Sequence, residues 1–127
     1  MKKIISTPNA PSPIGPYNQA VLANGTLYIS GQIGLKPSTM EWVNHDIEAE
    51  TKQVMENLKS VLEAAQMNFE NVVKSSIFLK EMEDFGRVNQ IYSSYFNDET
   101  APARETVAVK TLPKNVNVEI SMIAIQQ

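Results

Sequence analysis

The run Val118-Glu119-Ile120-Ser121-Met122-Ile123-Ala124-Ile125 near the end of the chain carries apolar side chains on both strand parities. Successive side chains of a strand point to opposite faces of the sheet. Val118, Ile120, Met122 and Ala124 therefore make one apolar face, and Ile123 and Ile125 make the other substantially apolar beside Glu119 and Ser121. A strand of this kind needs cover on both sides, which restricts the chain to a layered domain built around one sheet.

Two helices are available as cover. Asp46 is placed to cap a helix whose apolar residues Ile47, Val54, Leu58, Val61, Leu62 and Ala65 recur at spacings of three and four, with Glu48 and Glu50 in its first turn where the helix dipole favours them. A second helix is expected over about residues 83–96, with Phe85, Val88, Tyr92 and Tyr95 on one stripe and Asn89 near its edge. Two helices cover only one face of a sheet this size, so the economical cover for the second face is another copy of the chain, and a homo-oligomer is expected.

The sheet itself is legible in pieces. Asn24-Gly25 lies between Gln19-Ala20-Val21-Leu22-Ala23 and Thr26-Leu27-Tyr28-Ile29-Ser30, a strong hairpin signal because both central residues tolerate positive φ. Gly31 and Gly34 flank Gln32-Ile33 and mark a bulge or a close approach to the backbone. Further strands are expected over residues 72–79, 104–111 and 116–125, the last two joined through Leu112-Pro113-Lys114-Asn115. The proline-rich residues 7–16 should lie extended over the surface. The fold class is α+β, and residues 1–127 form a single domain without repeats.

Composition narrows the function. A net charge of −3 with scattered lysines argues against nucleic-acid partners, because neutralising phosphates requires clustered cations. No apolar run approaches the ~20 residues that span a bilayer, and the N-terminus lacks a signal-peptide core, so a soluble, cytoplasmic protein with no membrane partner is expected. The chain has no cysteine, which removes thiolate chemistry, and its single histidine, His45, reads as a solvated loop residue with no metal-ligand spacing around it. No metal or organic cofactor is expected.

What remains is a pair of charges in strands. Arg104 opens the strand Arg104-Glu105-Thr106-Val107-Ala108-Val109, and Glu119 lies in the apolar last strand. A charge in a buried strand costs several kcal/mol, on the order estimated for unpaired ions, unless it is paired or meets a polar ligand. By alternation Arg104, Thr106 and Ala108 share one face, while Glu105, Val107 and Val109 are expected to meet the helices. Arg104 on the subunit-facing side would place the polar groups in a cleft between copies. The bland alternative is an Arg104–Glu119 salt bridge at an interface that binds nothing.

At these residues the chain resembles the reactive-intermediate deaminase (RidA, or YjgF/YER057c/UK114) family over nearly its whole length. The matching motifs, in order, are Ile14-Gly15-Pro16-Tyr17, Ser30-Gly31-Gln32-Ile33, Val88-Asn89 with Tyr92, Pro102-Ala103-Arg104 and Val118-Glu119-Ile120. The resemblance implies a chorismate-mutase-like mixed sheet with two helices on one face. It also implies a homotrimer whose sheets form a central barrel, with ligand clefts between neighbours and no cofactor. It further implies hydrolysis of 2-iminobutanoate and 2-iminopropanoate, released as enamines by pyridoxal-phosphate dehydratases, to 2-oxo acids and ammonia.

Carried over residue by residue, the resemblance makes Arg104 the carboxylate clamp and Glu119 the base that orients and deprotonates water. Tyr17 and Asn89 line the cleft, and the main chain at Ser30, Gly31 and from Arg104 to Thr106 binds polar substrate atoms. Many family members read Arg-Ser-Cys where this chain has Arg104-Glu105-Thr106. The contact at that cysteine position is implied to come from its carbonyl, which Thr106 retains. Asn18 stands where serine is frequent, and the loop from Lys36 to Trp42 lacks the glycine expected at its turn. A second reading is a non-catalytic protein that binds 2-oxo acids or other carboxylates in the same cleft. A nuclease reading, sometimes attached to the family, draws little support from the acidic charge balance.

Overall fold

A computed structural model describes all residues 1–127. Its strands are β1 (Lys2–Ile5), β2 (Ala20–Ala23), β3 (Thr26–Gln32), β4 (Val72–Leu79), β5 (Ala103–Ala108) and β6 (Val118–Ile125), and its helices are α1 (Ile47–Ala64) and α2 (Phe85–Ser93). The strands form one six-stranded sheet in the order β1-β2-β3-β6-β4-β5. Every pairing is antiparallel except β4 with β5, so the sheet is mixed.

The strand with two apolar faces lies inside the sheet, between β3 and β4. Its Val118, Ile120, Met122 and Ala124 are buried in the main core beneath the helices. Glu119, Ser121 and Ile123 on the opposite face are only partly covered, and Ile125 is exposed. Tyr28, Val73 and Val107 are exposed large apolar side chains as well. One chain thus leaves the second face of its sheet bare, as its pattern implied.

Asp46 caps α1 through Oδ1, which accepts from the Ala49 amide at 2.7 Å. Val54, Met55, Leu58, Val61 and Leu62 turn inward. Each fully buried aliphatic side chain contributes about 1.5–3 kcal/mol of transfer free energy, which holds α1 on the sheet more firmly than propensity alone would. The same helix buries Glu50, whose carboxylate accepts from the Asn117 amide and from Asn117 Nδ2, both at 2.8 Å. Gly34 makes room for this packing, since a β-carbon there would lie 2.9 Å from Glu50 Cγ.

Three expectations need correction. Helix α2 is shorter than residues 83–96, because Met82–Asp84 form a 3-10 turn ahead of it and the helix ends at Ser93. Strand β5 stops at Ala108, and Lys2–Ile5 form an edge strand that the sequence did not announce. The loop at residues 36–42 turns without glycine because Met40 itself adopts φ 62°.

Candidate functional site

The parallel pairing of β4 with β5 sets Arg104 beside Ser75, whose buried hydroxyl receives the Tyr92 phenol at 2.9 Å. Arg104 therefore lies under α2. Its Nη1 donates to Asn89 Oδ1 at 2.6 Å, and its guanidinium stands 5.6 Å from the Phe85 ring centroid and 5.1 Å from that of Tyr92. Aromatic neighbours and a short hydrogen bond restrain a long side chain that is otherwise exposed. Arg104 forms no ion pair, so the donors not given to Asn89 stay available to a planar anion. Burial raises the Tyr92 phenol above its ordinary range, even though Ser75 and Arg104 both lower it.

This placement reverses the face expected from alternation. Arg104, with Ser75, meets α2, whereas Glu105 lies on the opposite face, where it pairs with Lys74 at 2.8 Å and accepts a short hydrogen bond from Ser76. Those partners hold the Glu105 carboxyl below its usual range, Lys74 contributing most. Strand parity says which side chains share a face. It does not say which face the helix takes.

Glu119 is on the face away from α2, opposite Phe78 in the β4–β6 pairing. Within one chain Arg104 and Glu119 therefore do not meet. The Glu119 carboxylate rests on Gly31: a β-carbon at that glycine would lie 2.6 Å from Oε2. Half-burial without a partner raises the Glu119 carboxyl above the ordinary range, the cause being loss of water around its charged form.

Ser30 and Gly31 fall where the β3–β6 register slips between Ile29 and Gln32. The Ser30 hydroxyl donates to the Asn18 carbonyl at 2.6 Å, and its amide donates to the Gln19 carbonyl at 2.9 Å, so both of these donors are engaged within the chain. Tyr17 is exposed and borders a small hollow together with Gly31, Gln32 and Met40. The segment below it is fixed by the buried Gln19, which receives the Thr7 amide and donates to the carbonyls of Thr7, Ala10 and Pro11.

The candidate residues thus sort into two groups. Arg104, Asn89 and Thr106 lie on the α2 side, where Thr106 Oγ1 is buried without a partner. Glu119, Gly31 and Tyr17 lie around the start of β6 and the β3 bulge. Glu50 and Gln19 support the second group, and the sequence did not single them out. Their signal was weak, because a carboxylate in a first helical turn and a glutamine after a proline-rich run look ordinary. No cluster of three or more His, Cys, Asp or Glu residues is arranged to hold a metal ion, and no helix is long and apolar enough to cross a membrane.

The architecture and the two polar groups define a small α+β protein with an arginine free of ion pairs and a half-buried carboxylate on one frame. The chain belongs to the Endoribonuclease L-PSP family, whose profile matches residues 7–126, and this is the RidA/YjgF family that its motifs resemble. It is 48% identical to the mouse 2-iminobutanoate/2-iminopropanoate deaminase over 99% of this chain and 93% of that one. The solved structure of the Rid-family protein YyfA from Yersinia pestis superposes with a TM-score of 0.96 at 46% identity, covering 99% of this chain and 100% of that one. Escherichia coli TdcF with bound serine superposes with a TM-score of 0.92 at 35% identity, covering 98% and 99%.

Proposed function

We propose that this protein hydrolyses small 2-imino acids, 2-iminobutanoate and 2-iminopropanoate among them, to 2-oxo acids and ammonia. The mouse relative's name supports the reaction. The carrying observation in this chain is the Arg104 fork, braced by Asn89 with its remaining donors open. Such a fork takes a carboxylate in two parallel hydrogen bonds.

The site is completed between copies. Arg104 with Asn89 and Thr106 on one side of the sheet, and Glu119 with Gly31 and Tyr17 on the other, are two halves that a single chain holds apart. The uncovered sheet face supports a homotrimer with its sheets forming a central barrel, in which one copy's Arg104 group faces its neighbour's Glu119 group.

In such a cleft Arg104 fixes the substrate carboxylate, and main-chain groups at Gly31 and Thr106 position the imine. Glu119 takes a proton from water as the oxygen attacks C2. That proton passes to the nitrogen, so the tetrahedral adduct carries a hydroxyl and an amine on that carbon. Glu119 then takes the hydroxyl proton and delivers it to the amine, the C–N bond breaks, and ammonia leaves as the carbonyl forms. A well-placed general base supplies about 10²–10⁴-fold, enough for a reaction that already proceeds in water.

The serine bound to TdcF favours, as a second reading, a protein that only binds small carboxylates. One experiment separates the two. Imines are generated in situ by an L-amino acid oxidase and the survivors trapped with semicarbazide, with wild type, Arg104→Ala and Glu119→Gln in parallel. Depletion of trapped imine by wild type alone supports hydrolysis, and equal trapping with and without protein leaves the binding reading.

A further inference from the structure

Next to Arg104 the α2 side of the chain opens into a hollow of about 360 Å³. The hollow is open to solvent and continues from Arg104 past Ser93 and Phe96 to Asp98, so a side chain that extends beyond the carboxylate has somewhere to lie. Ala101 and Pro102 contribute only small side chains to its lining, while Tyr92 and Phe96, tilted at 38° with ring centroids 4.8 Å apart, give it an aromatic wall.

The charges around this space are unusual in being left open. Asp98 borders the hollow opposite in sign to Arg104, yet no ion pair joins them and neither is paired elsewhere. Ser93, the last residue of α2, lines it too, and that helix end carries no basic residue in its last turn. A helix C-terminus is the negative end of the dipole, and aromatic rings favour cations, so the Asp98 region attracts positive charge from three sources. Arg104 and Asn89 attract a carboxylate at the same opening.

We infer that the hollow extends the substrate site and selects 2-imino acids whose side chain ends in a positive charge, Arg104 holding the carboxylate and Asp98 the distal cation. The inference rests on the deaminase reading and adds to it a substrate class and a specificity-determining residue. Purely apolar side chains gain nothing from Asp98. Phosphorylated or acidic side chains are repelled by it.

The probe pair is the imine made from L-arginine and its neutral isostere made from L-citrulline, both generated by an L-amino acid oxidase and followed by kcat/KM. Exposed ion pairs are modest, so wild type is expected to prefer the arginine-derived imine by about 5-fold. Asp98→Asn should remove that preference and Asp98→Lys should invert it. Equal kcat/KM for the two imines in wild type, or a preference that survives Asp98→Asn, overturns the assignment. A second measurement, calorimetric binding of the corresponding 2-oxo acids, decides the matter independently of turnover. If no imine at all is hydrolysed, the deaminase reading falls. In that case a charge preference in binding that depends on Asp98 still supports the hollow's role, and its absence overturns it.

Discussion

The Glu119 carboxylate occupies the space that a side chain at Gly31 would need, since a β-carbon there would stand 2.6 Å from Oε2 and 2.8 Å from Cδ. A contact below 3 Å cannot be accommodated unless the carboxylate moves. Gly31→Ala is therefore expected to displace Glu119 without disturbing the core, lowering kcat by at least about 10-fold, a fraction of the 10²–10⁴ that a general base supplies. Imine hydrolysis measured beside a thermal melt checks this; full activity in a well-folded variant would show that Glu119's seat on Gly31 is immaterial.

Arg104 and Asn89 act as a unit across β5 and α2. Arg104→Ala should cost about 100-fold or more in kcat/KM, because a charge-assisted fork is lost, and Arg104→Lys should recover little of it, because an ammonium lacks the planar geometry. Asn89→Ala should raise KM by about 10-fold through loss of one hydrogen bond to a charged group. Since Arg104 is exposed in the single chain, these variants should melt close to wild type. Steady-state kinetics with differential scanning calorimetry distinguishes this outcome from general unfolding.

The two halves of the site suggest a complementation experiment. Arg104→Ala and Glu119→Gln oligomers should each be inactive, yet mixing them under conditions that exchange subunits should restore activity. In a random mixture about one cleft in four pairs an intact Arg104 with an intact Glu119, as expected for a site shared by symmetric copies. No recovery after proven exchange would place both residues in one chain's site.

Burial raises the Glu119 carboxyl. As a base it must be ionised, so the acid limb of kcat/KM should lie above the ~4.3 of an ordinary glutamate and move down in variants that admit water to it. The linked stability has the opposite preference. An acid whose folded-state value is raised binds its proton more tightly when folded, so its contribution is present below the unfolded value and lost as pH rises through the folded one. Glu119→Gln should then be more thermostable than wild type at neutral pH and lose that advantage in acid, which melts across pH would show.

Glu50 ties α1 to the start of β6 through two hydrogen bonds to Asn117. Glu50→Ala removes both acceptors of the partly buried Asn117 and opens a cavity, and it should cost about 3 kcal/mol in chemical denaturation. Glu50→Gln keeps one acceptor and should cost about half as much.

Much of the architecture was legible because it is written locally. The Asn24-Gly25 hairpin, the Asp46 cap, the periodicity of α1 and the two-faced β6 each depend on residues close in sequence. The misses share a different cause. Strand β1 contains only Lys2-Lys3-Ile4-Ile5, and lysines on an edge strand carry no alternation to read. The end of α2 was overrun because Tyr95 and Phe96 continue its apolar spacing after the backbone has left the helix. The buried role of Glu50 depends on Asn117, 67 residues away.

The choice of candidate polar residues, Arg104, Glu119, Asn89, Tyr17 and Gly31 among them, and the apolar content of both faces of β6, follow from the chain's pattern and motifs. Only the tertiary structure decided that Arg104 faces α2, that Glu119 seats on Gly31 across the sheet, and that Asp98 and Arg104 border one hollow. The physical reason is that periodicity records which side chains share a face. Strand order and the face a helix covers are instead decided by nonlocal burial of apolar area, here the insertion of β6 between β3 and β4 and the parallel return of β5.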